Sequence, residues 1–467
     1  MRDRPRRLNC LLLYNIFSAA EAETVIDHVR SFPRFSRCRV CPVWMLGDLS
    51  PAIDLDRFDA VIIHYSIKVH YDHFVSPPTR ARIAAFGGLK ILFAQDEYYK
   101  VNLMNEVVRD LGIHAVFSVS PESEMHKIYL LGKLPQLRRI SILTGYVPAT
   151  LPYLNVKPWR ERDIDIGYRA RKLSAWLGER GQEKWRIGER VQRDAARYGL
   201  RIDISCQESD RLYGRKWIEF VTNCKAVLGT GSGGSVLDLS GDIQENIVTH
   251  ETEHPDTPFE VLRDSYLKGL DGAITFDVIS PRCFEAASLR TLMILYEGWY
   301  SGVLRPWRHY VPLKKDHSNM DEVVAVLRDE KWALGIIDNA YREVALNPNY
   351  SFAAMVDAFD RVVDEMFRPA MRARKMRMLT GYYPVVGLVR RLRWHHETNR
   401  GTRTSLLQDL FKQSLWRWRL SLEAWFGRRT GRGEFEVACC RRRRLGRNVD
   451  PPTDRQRAPR LGSGQSG

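Results

Sequence analysis

The sequence predicts an α/β protein of two parallel-sheet units in tandem, followed by a basic arm. Three observations predict this. Short apolar runs alternate with amphipathic stretches over the first ~150 residues, the mark of βα units with a parallel sheet. The same alternation restarts after "PYLNVKPWRERD". Polar residues collect where the apolar runs end, the edge at which open α/β sheets bind their ligands. At 467 residues the chain is also too long for one core.

The elements follow in order. "NCLLLYNI" reads as a first strand behind a charged lead, because Asn9 and Asn15 interrupt a run too short for a signal peptide. "AAEAETVIDHVRSF" is an amphipathic helix, "CRVCPVWML" a second strand and "FDAVIIHYS" a buried strand ending in His64, Tyr65 and Ser66. "PPTRARIAAF" opens a helix on prolines, and "LKILFAQDEYY" is a strand with Gln95, Asp96, Glu97 and Tyr98 at its end. "MNEVVRDLG", "HAVFSVSPE" and "ISILTGYVPATLP" complete the first unit. The second unit opens with the strand "IDIGYRAR" and the long helix "QEKWRIGERVQRDAARYG". It continues through "LRIDISC", "YGRKWIEFVTNC" and "KAVLGTGSGG", a strand entering a glycine loop. "AITFDVISPRCFEAASLRTLMILYEG" runs from irregular chain into a helix and a strand, and late helices follow to about residue 366. The expected boundaries are 1–155 for the first unit, 156–366 for the second, 367–430 for a basic amphipathic helical arm and 431–467 for a disordered tail.

Charge is unevenly spread. The net charge is +16, yet residues 367–467 hold 24 Lys+Arg against 7 Asp+Glu. The body therefore balances 48 basic against 49 acidic residues, and the basicity belongs to the arm. That argues against a nucleic-acid binder, since a neutral body lacks the electrostatic footprint. The arm mixes arginines with Trp416, Trp418 and Trp425, which suits an anionic membrane surface. Eight cysteines make no disulfide framework, which fits a reducing, cytoplasmic compartment. Cys38 and Cys41 form a lone C-x-x-C without a second pair at zinc spacing. The pairs Asp54/Asp56 and Asp163/Asp165 are chance D-x-D matches, so no metal is expected.

"SPRCFEAASLRTLMIL" places a carboxylate, Glu285, in an otherwise apolar helix. This stretch resembles the glutamate-bearing helix of GT-B glycosyltransferases, glycosyl transferase group 1 type, in which two Rossmann-like domains face each other across a cleft. The family's E-x7-E appears as D-x7-E, with Asp277 eight residues before Glu285, and its A-x-G-x-P turn is replaced by Leu289, Arg290 and Thr291. "R-x-FE" leading into "LRPWRHYVPLKKDHSNMDEVVAVLRD" resembles the spore-maturation, CgeB-like group more closely, over residues ~160–330.

The resemblance implies metal-independent, cofactor-free transfer of a sugar from a nucleotide-sugar donor to a saccharide or lipid-linked acceptor, in surface polysaccharide or glycoconjugate synthesis. Glu285 would accept hydrogen bonds from ribose hydroxyls. Asp277 would join it in donor binding, and the Arg282 N–H at the helix start would meet phosphate. Arg169, Arg171 and Lys172, just past a strand, would neutralise the leaving diphosphate. Gly231 and Gly233 would line the donor cleft. A base must deprotonate the acceptor if the reaction inverts, and Asp96, Glu97 and His64 are the candidates. Two other classes stand beside this. An NAD(P)-binding Rossmann oxidoreductase would use the G-x-G-x-x-G at Gly229, Gly231 and Gly234. A non-catalytic binding protein would act through the basic arm.

Overall fold

The computed structural model describes residues 7–16 and 23–371. The expected arm helix and tail lie outside the described residues from residue 372 on.

Six strands form the first sheet: β1 (Asn9–Tyr14), β2 (Arg39–Trp44), β3 (Ala60–Ile63), β4 (Leu89–Ala94), β5 (Ala115–Ser118) and β6 (Arg138–Ser141). They are ordered β2-β1-β3-β4-β5-β6, and every pair is parallel. Five form the second: β7 (Ile164–Arg169), β8 (Ile202–Ser205), β9 (Cys224–Gly229), β10 (Leu292–Tyr296) and β11 (Val311–Leu313). Their order is β11-β10-β9-β7-β8, again all parallel. The chain is thus α/β with two doubly wound, Rossmann-like units, the GT-B arrangement. In each sheet the order reverses once, between β1 and β3 and between β7 and β9, and crevices for ligands open at such points.

The residues explain the pattern. β1, β3, β4, β5 and β10 are buried throughout, so they read as continuous apolar runs rather than alternating ones. Prolines mark the edges: Pro42 lies in β2 and Pro312 in β11, each an outermost strand where a missing N–H costs no ladder bond.

The final helix corrects the sequence reading, which placed residues up to 366 in the second unit. Helix Phe352–Met366 packs Phe352, Val356, Phe359 and Val363 into the first unit's core, with Cys10, Leu12, Phe32 and Phe93. Asp360 pins it there, accepting from Ser36 Oγ and the Arg37 N–H, each at 2.6 Å. Amphipathicity showed only that one face is buried, and both sheets offer an apolar partner.

Arg162, at the start of the second unit, is buried with no carboxylate partner among the described residues. Its guanidinium donates to the carbonyls of Lys157, Cys224 and Leu289 and to Thr291 Oγ1 over 2.8–3.2 Å. It ties the linker to β9 and to the turn before β10.

Candidate active site

A cavity of about 540 Å³ lies between the C-terminal edges of the two sheets. Its floor includes Tyr168 and Ala170 from the end of β7, and Val227, Leu228, Gly229 and Thr230 from the end of β9. That is the point where the strand order of the second sheet reverses. The first unit supplies Lys68, His70 and Tyr71 after β3, and Asp96, Tyr98 and Tyr99 after β4.

Four cations stand on the second-unit side, Arg171, Lys184, Arg211 and Arg282, of which Arg211 pairs with Glu208 at 2.7 Å. Arg282 sits in the first turn of helix Pro281–Ser288, whose N-cap Ser280 accepts the Arg282 N–H. Its guanidinium is fixed by the Arg169 carbonyl and lies 5.0 Å over the Trp217 ring. Lys184 projects from helix Gly178–Tyr198. Burial lowers the Lys184 ammonium pKa; Asp96 opposes this across the cleft, while Arg282 and Arg171 reinforce it. Arg171, Lys184 and Arg282 have no carboxylate partner among the described residues, so their charge is available to an anion.

Asp96 is the one carboxylate on the wall among the described residues. It has φ +60°, a left-handed conformation that aspartate tolerates, and its side chain is exposed. The Tyr98 hydroxyl donates to it at 3.2 Å, and Lys68 Nζ lies 3.7 Å away while donating to the Gln95 carbonyl at 2.8 Å. The turn puts Asp96 in the cleft and Glu97 in the core.

Glu97 is therefore corrected as a candidate base. It is 1% exposed, takes the Tyr129 hydroxyl at 2.8 Å, and burial raises its pKa to about 7. His64 is corrected too. It is wholly buried, with Nε2 3.0 Å from His28 Nδ1 and Nδ1 2.8 Å from Ser66 Oγ. Burial lowers the His28 pKa to about 3 and holds His64 well below its ordinary value. Both rings stay neutral in the fold, whereas both charge in the unfolded chain below about pH 6.5. Their contribution to stability is undiminished above that pH and is lost as the pH falls from 6.5 towards 3. Melting temperatures are therefore expected to fall over this window. His28→Phe, facing Phe32 and Phe93, flattens the fall even if it lowers the plateau. An unchanged slope in the variant would remove the buried pair as the cause.

Arg169 is committed elsewhere. It pairs with Asp203 at 2.8 Å, donates to the Tyr168 and Asp203 carbonyls, and covers the Phe220 ring at 4.3 Å. It does not reach the cavity wall, and neither does Lys172, whose Nζ lies 5.5 Å over the Trp185 ring. Only Arg171 of that basic turn lines the cavity, because successive residues leave the strand end in different directions.

The two acids of D-x7-E also stand back from the wall. Asp277 takes the Trp299 N–H at 2.7 Å and lies 3.3 Å from Arg180, shaping the loop after β10. Glu285 is half-buried and accepts from Trp217 Nε1 at 2.7 Å; burial raises its pKa against that bond and Arg282.

Gly233 lines the cavity at φ +119°, and a Cβ there would fall 2.2 Å from Phe276 Cβ, so only glycine fits. Gly231 lies behind the wall, where a Cβ would strike the Asp277 carboxylate at 2.3 Å. The loop runs on through irregular chain to a helix that starts only at Asp242. A dinucleotide fingerprint needs its glycines to open directly into a helix, so this loop does not make one. The D-x-D pairs are engaged locally: Asp54 caps the Asp56 N–H, Asp163 pairs with Lys157, and Asp165 with Lys225 and Arg201.

Sequence reasoning placed Tyr98 at this edge but missed Lys184, Lys68, His70 and the other rings of the wall, Tyr71, Tyr99 and Trp176. "DEYYK" and "HYDHF" carried a signal, being polar-aromatic clusters after buried strands. Lys184 carried none, since one lysine on a charged helix looks like any solvated one.

No protein-family model matches the chain, and no curated protein does. Solved structures are similar at low identity. Anabaena HepE in complex with UDP-glucose matches at 8% identity and TM-score 0.42, covering 77% of this chain and 100% of that one. An alpha-glucosyltransferase in complex with UDP-glucose and abasic-site DNA matches at 8% and 0.46, covering 76% and 99%. A DNA-modifying beta-glucosyltransferase matches at 11% and 0.42, covering 76% and 100%. The fold assignment rests on the two sheets and their strand orders, not on these likenesses.

Proposed function

We propose that the protein is a glycosyltransferase that moves a sugar from a nucleotide-sugar donor to a hydroxyl of a saccharide or lipid-linked acceptor, without a metal. One observation carries this reading: three carboxylate-free cations face a lone exposed carboxylate across a single cavity. Arg171, Lys184 and Arg282 supply the positive charge that a departing diphosphate needs, in place of a divalent ion. Arg282 is held ready by Trp217 and the Arg169 carbonyl, so little order is lost on binding. Asp96 would take the proton of the attacking hydroxyl, with Lys68 and Tyr98 keeping it in place. Glu285 and Asp277 act behind the wall: Glu285 orients Trp217 beneath Arg282, and Asp277 fixes the Trp299 turn.

The test is thermal stabilisation by UDP, GDP, CMP and NAD(P). A nucleoside diphosphate is expected to raise the melting temperature, and CMP, with one phosphate, to do so less. Stabilisation by NAD(P) alone would replace this reading with the oxidoreductase. No shift with any of them would leave a binding protein acting through residues 367–430. Among the described residues no helix is long and apolar enough to cross a membrane. The anionic-surface role of the arm is part of this proposal and rests on its composition.

A further inference from the structure

The crossover between β9 and β10 does not stay with its own sheet. Its residues Ile274, Phe276 and Val278 are buried in the first unit's core, among Val61, Leu92 and Val108. Lys127 Nζ donates to the Ala273 carbonyl at 3.0 Å, and the Thr275 N–H donates to Glu124 Oε2 at 3.1 Å. A backbone tie forms at Asp238. Its N–H donates to the Tyr98 carbonyl at 2.8 Å. The Val101 and Asn102 N–H groups donate in turn to the Asp238 and Leu239 carbonyls at 3.3 and 3.0 Å. Tyr99 and Asp238 are thereby paired as in a parallel sheet.

That tie grips the turn that carries Asp96. Asp96 and Lys100, at φ +60° and +50°, bracket the turn, and such left-handed residues persist only where their surroundings hold them. Tyr98 carries the connection inward. Its carbonyl is held by Asp238, its ring meets Phe276 at 5.1 Å and 78°, and its hydroxyl donates to Asp96. Asp238 is itself fixed. Its carboxylate is wholly buried and accepts the N–H groups of Gly241 at 2.7 Å and Gln244 at 2.9 Å, at the start of helix Asp242–Glu253. Gln244, Ser232 and Gly233 of the same crossover line the cavity. One segment thus joins the second-unit wall to Asp96.

We propose that Asp238 is a positioning residue: through the Tyr98–Lys100 turn it sets where Asp96 stands relative to the cations on the second-unit side. The spacing of base and cations is then built into the fold, not reached by the two units closing on the nucleotide. The inference rests on the glycosyltransferase reading, in which Asp96 takes the acceptor's proton. It adds a residue that lies off the cavity wall. Displacing a reacting group by about 1 Å is enough to cost about a hundredfold in rate.

The test measures UDP or GDP release from a panel of UDP- and GDP-sugars by the full chain, with water as acceptor. Affinity for the matching nucleoside diphosphate is measured by calorimetry. Asp238→Ala is expected to lower kcat about tenfold or more and to leave donor KM and nucleotide affinity unchanged. Asp238→Asn, which keeps an acceptor for one of the two N–H groups, recovers part of the loss. In the Asp96→Asn background, Asp238→Ala costs nothing further, because both residues act at one step. A merely structural Asp238 would cost the same fold in both backgrounds, and that result overturns the inference. So does a fall in nucleotide affinity as large as the fall in kcat. Where Asp238→Ala does not fold, Asp238→Asn carries the same comparison. Hydrogen exchange on the wild type needs no variant: the amides of Val101, Asn102 and Asp238 are expected to be protected equally with and without nucleotide. Protection that arises only with nucleotide would mean that the units close on it, and overturns the inference. A wild type that releases neither UDP nor GDP overturns the glycosyltransferase reading and this inference with it.

Discussion

Asp96→Asn is expected to lower kcat by about 10²–10⁴-fold, the usual worth of a positioned general base, while leaving nucleotide affinity unchanged. The isosteric amide keeps the turn at φ +60°, because asparagine tolerates the left-handed region as aspartate does. It also keeps an acceptor for the Tyr98 hydroxyl. What it loses is the capacity to take a proton, so the defect falls on the chemical step. Steady-state kinetics with a donor and acceptor, beside UDP calorimetry, separate the two. Glu97→Gln is the control. Glu97 lies in the core with Tyr129, so its replacement acts on stability and leaves kcat within a few-fold. A wild-type kcat in Asp96→Asn would move the proton to the donor's own leaving phosphate and would indicate retention of configuration.

Arg282→Ala is expected to weaken UDP binding by about tenfold to a hundredfold, since a hydrogen bond to a charged group contributes about 1.5–3 kcal/mol. Arg282→Lys keeps the charge but loses the planar fork and its stacking on Trp217, and recovers only part of the affinity. Isothermal calorimetry with UDP and with uridine decides the matter. The variant should lose affinity for UDP and not for uridine, because only the diphosphate meets the guanidinium. Equal losses for both would show that the substitution had disturbed the helix Pro281–Ser288 rather than removed a phosphate partner. Raising the salt concentration should weaken wild-type binding more than that of Arg282→Ala, since screening acts on the charges that remain.

The candidate site was legible in part. "RCFEAAS" pointed to a helix whose first turn brings Arg282 to the cavity, while Glu285 in its middle turns to Trp217. "YRARK" pointed to a strand end at the cavity, where only Arg171 reaches the wall and Arg169 closes on Asp203. "AQDEYY" held a base candidate in Asp96, but its neighbour Glu97 faces the other way. Adjacent residues at a strand end point to opposite sides, and one residue of register decides which faces the cavity and which the core. Sequence names the cluster and leaves that parity open.

By itself the sequence determined the two α/β units and the buried parallel strands. Both follow from local chemistry: apolar runs must be covered on both faces. Only the tertiary structure decided that helix Phe352–Met366 returns to the first sheet and that His64 is sealed against His28. Those outcomes depend on which distant surfaces meet. Burial and hydrogen-bond partners are properties of the packed molecule, and no local pattern in the chain fixes them.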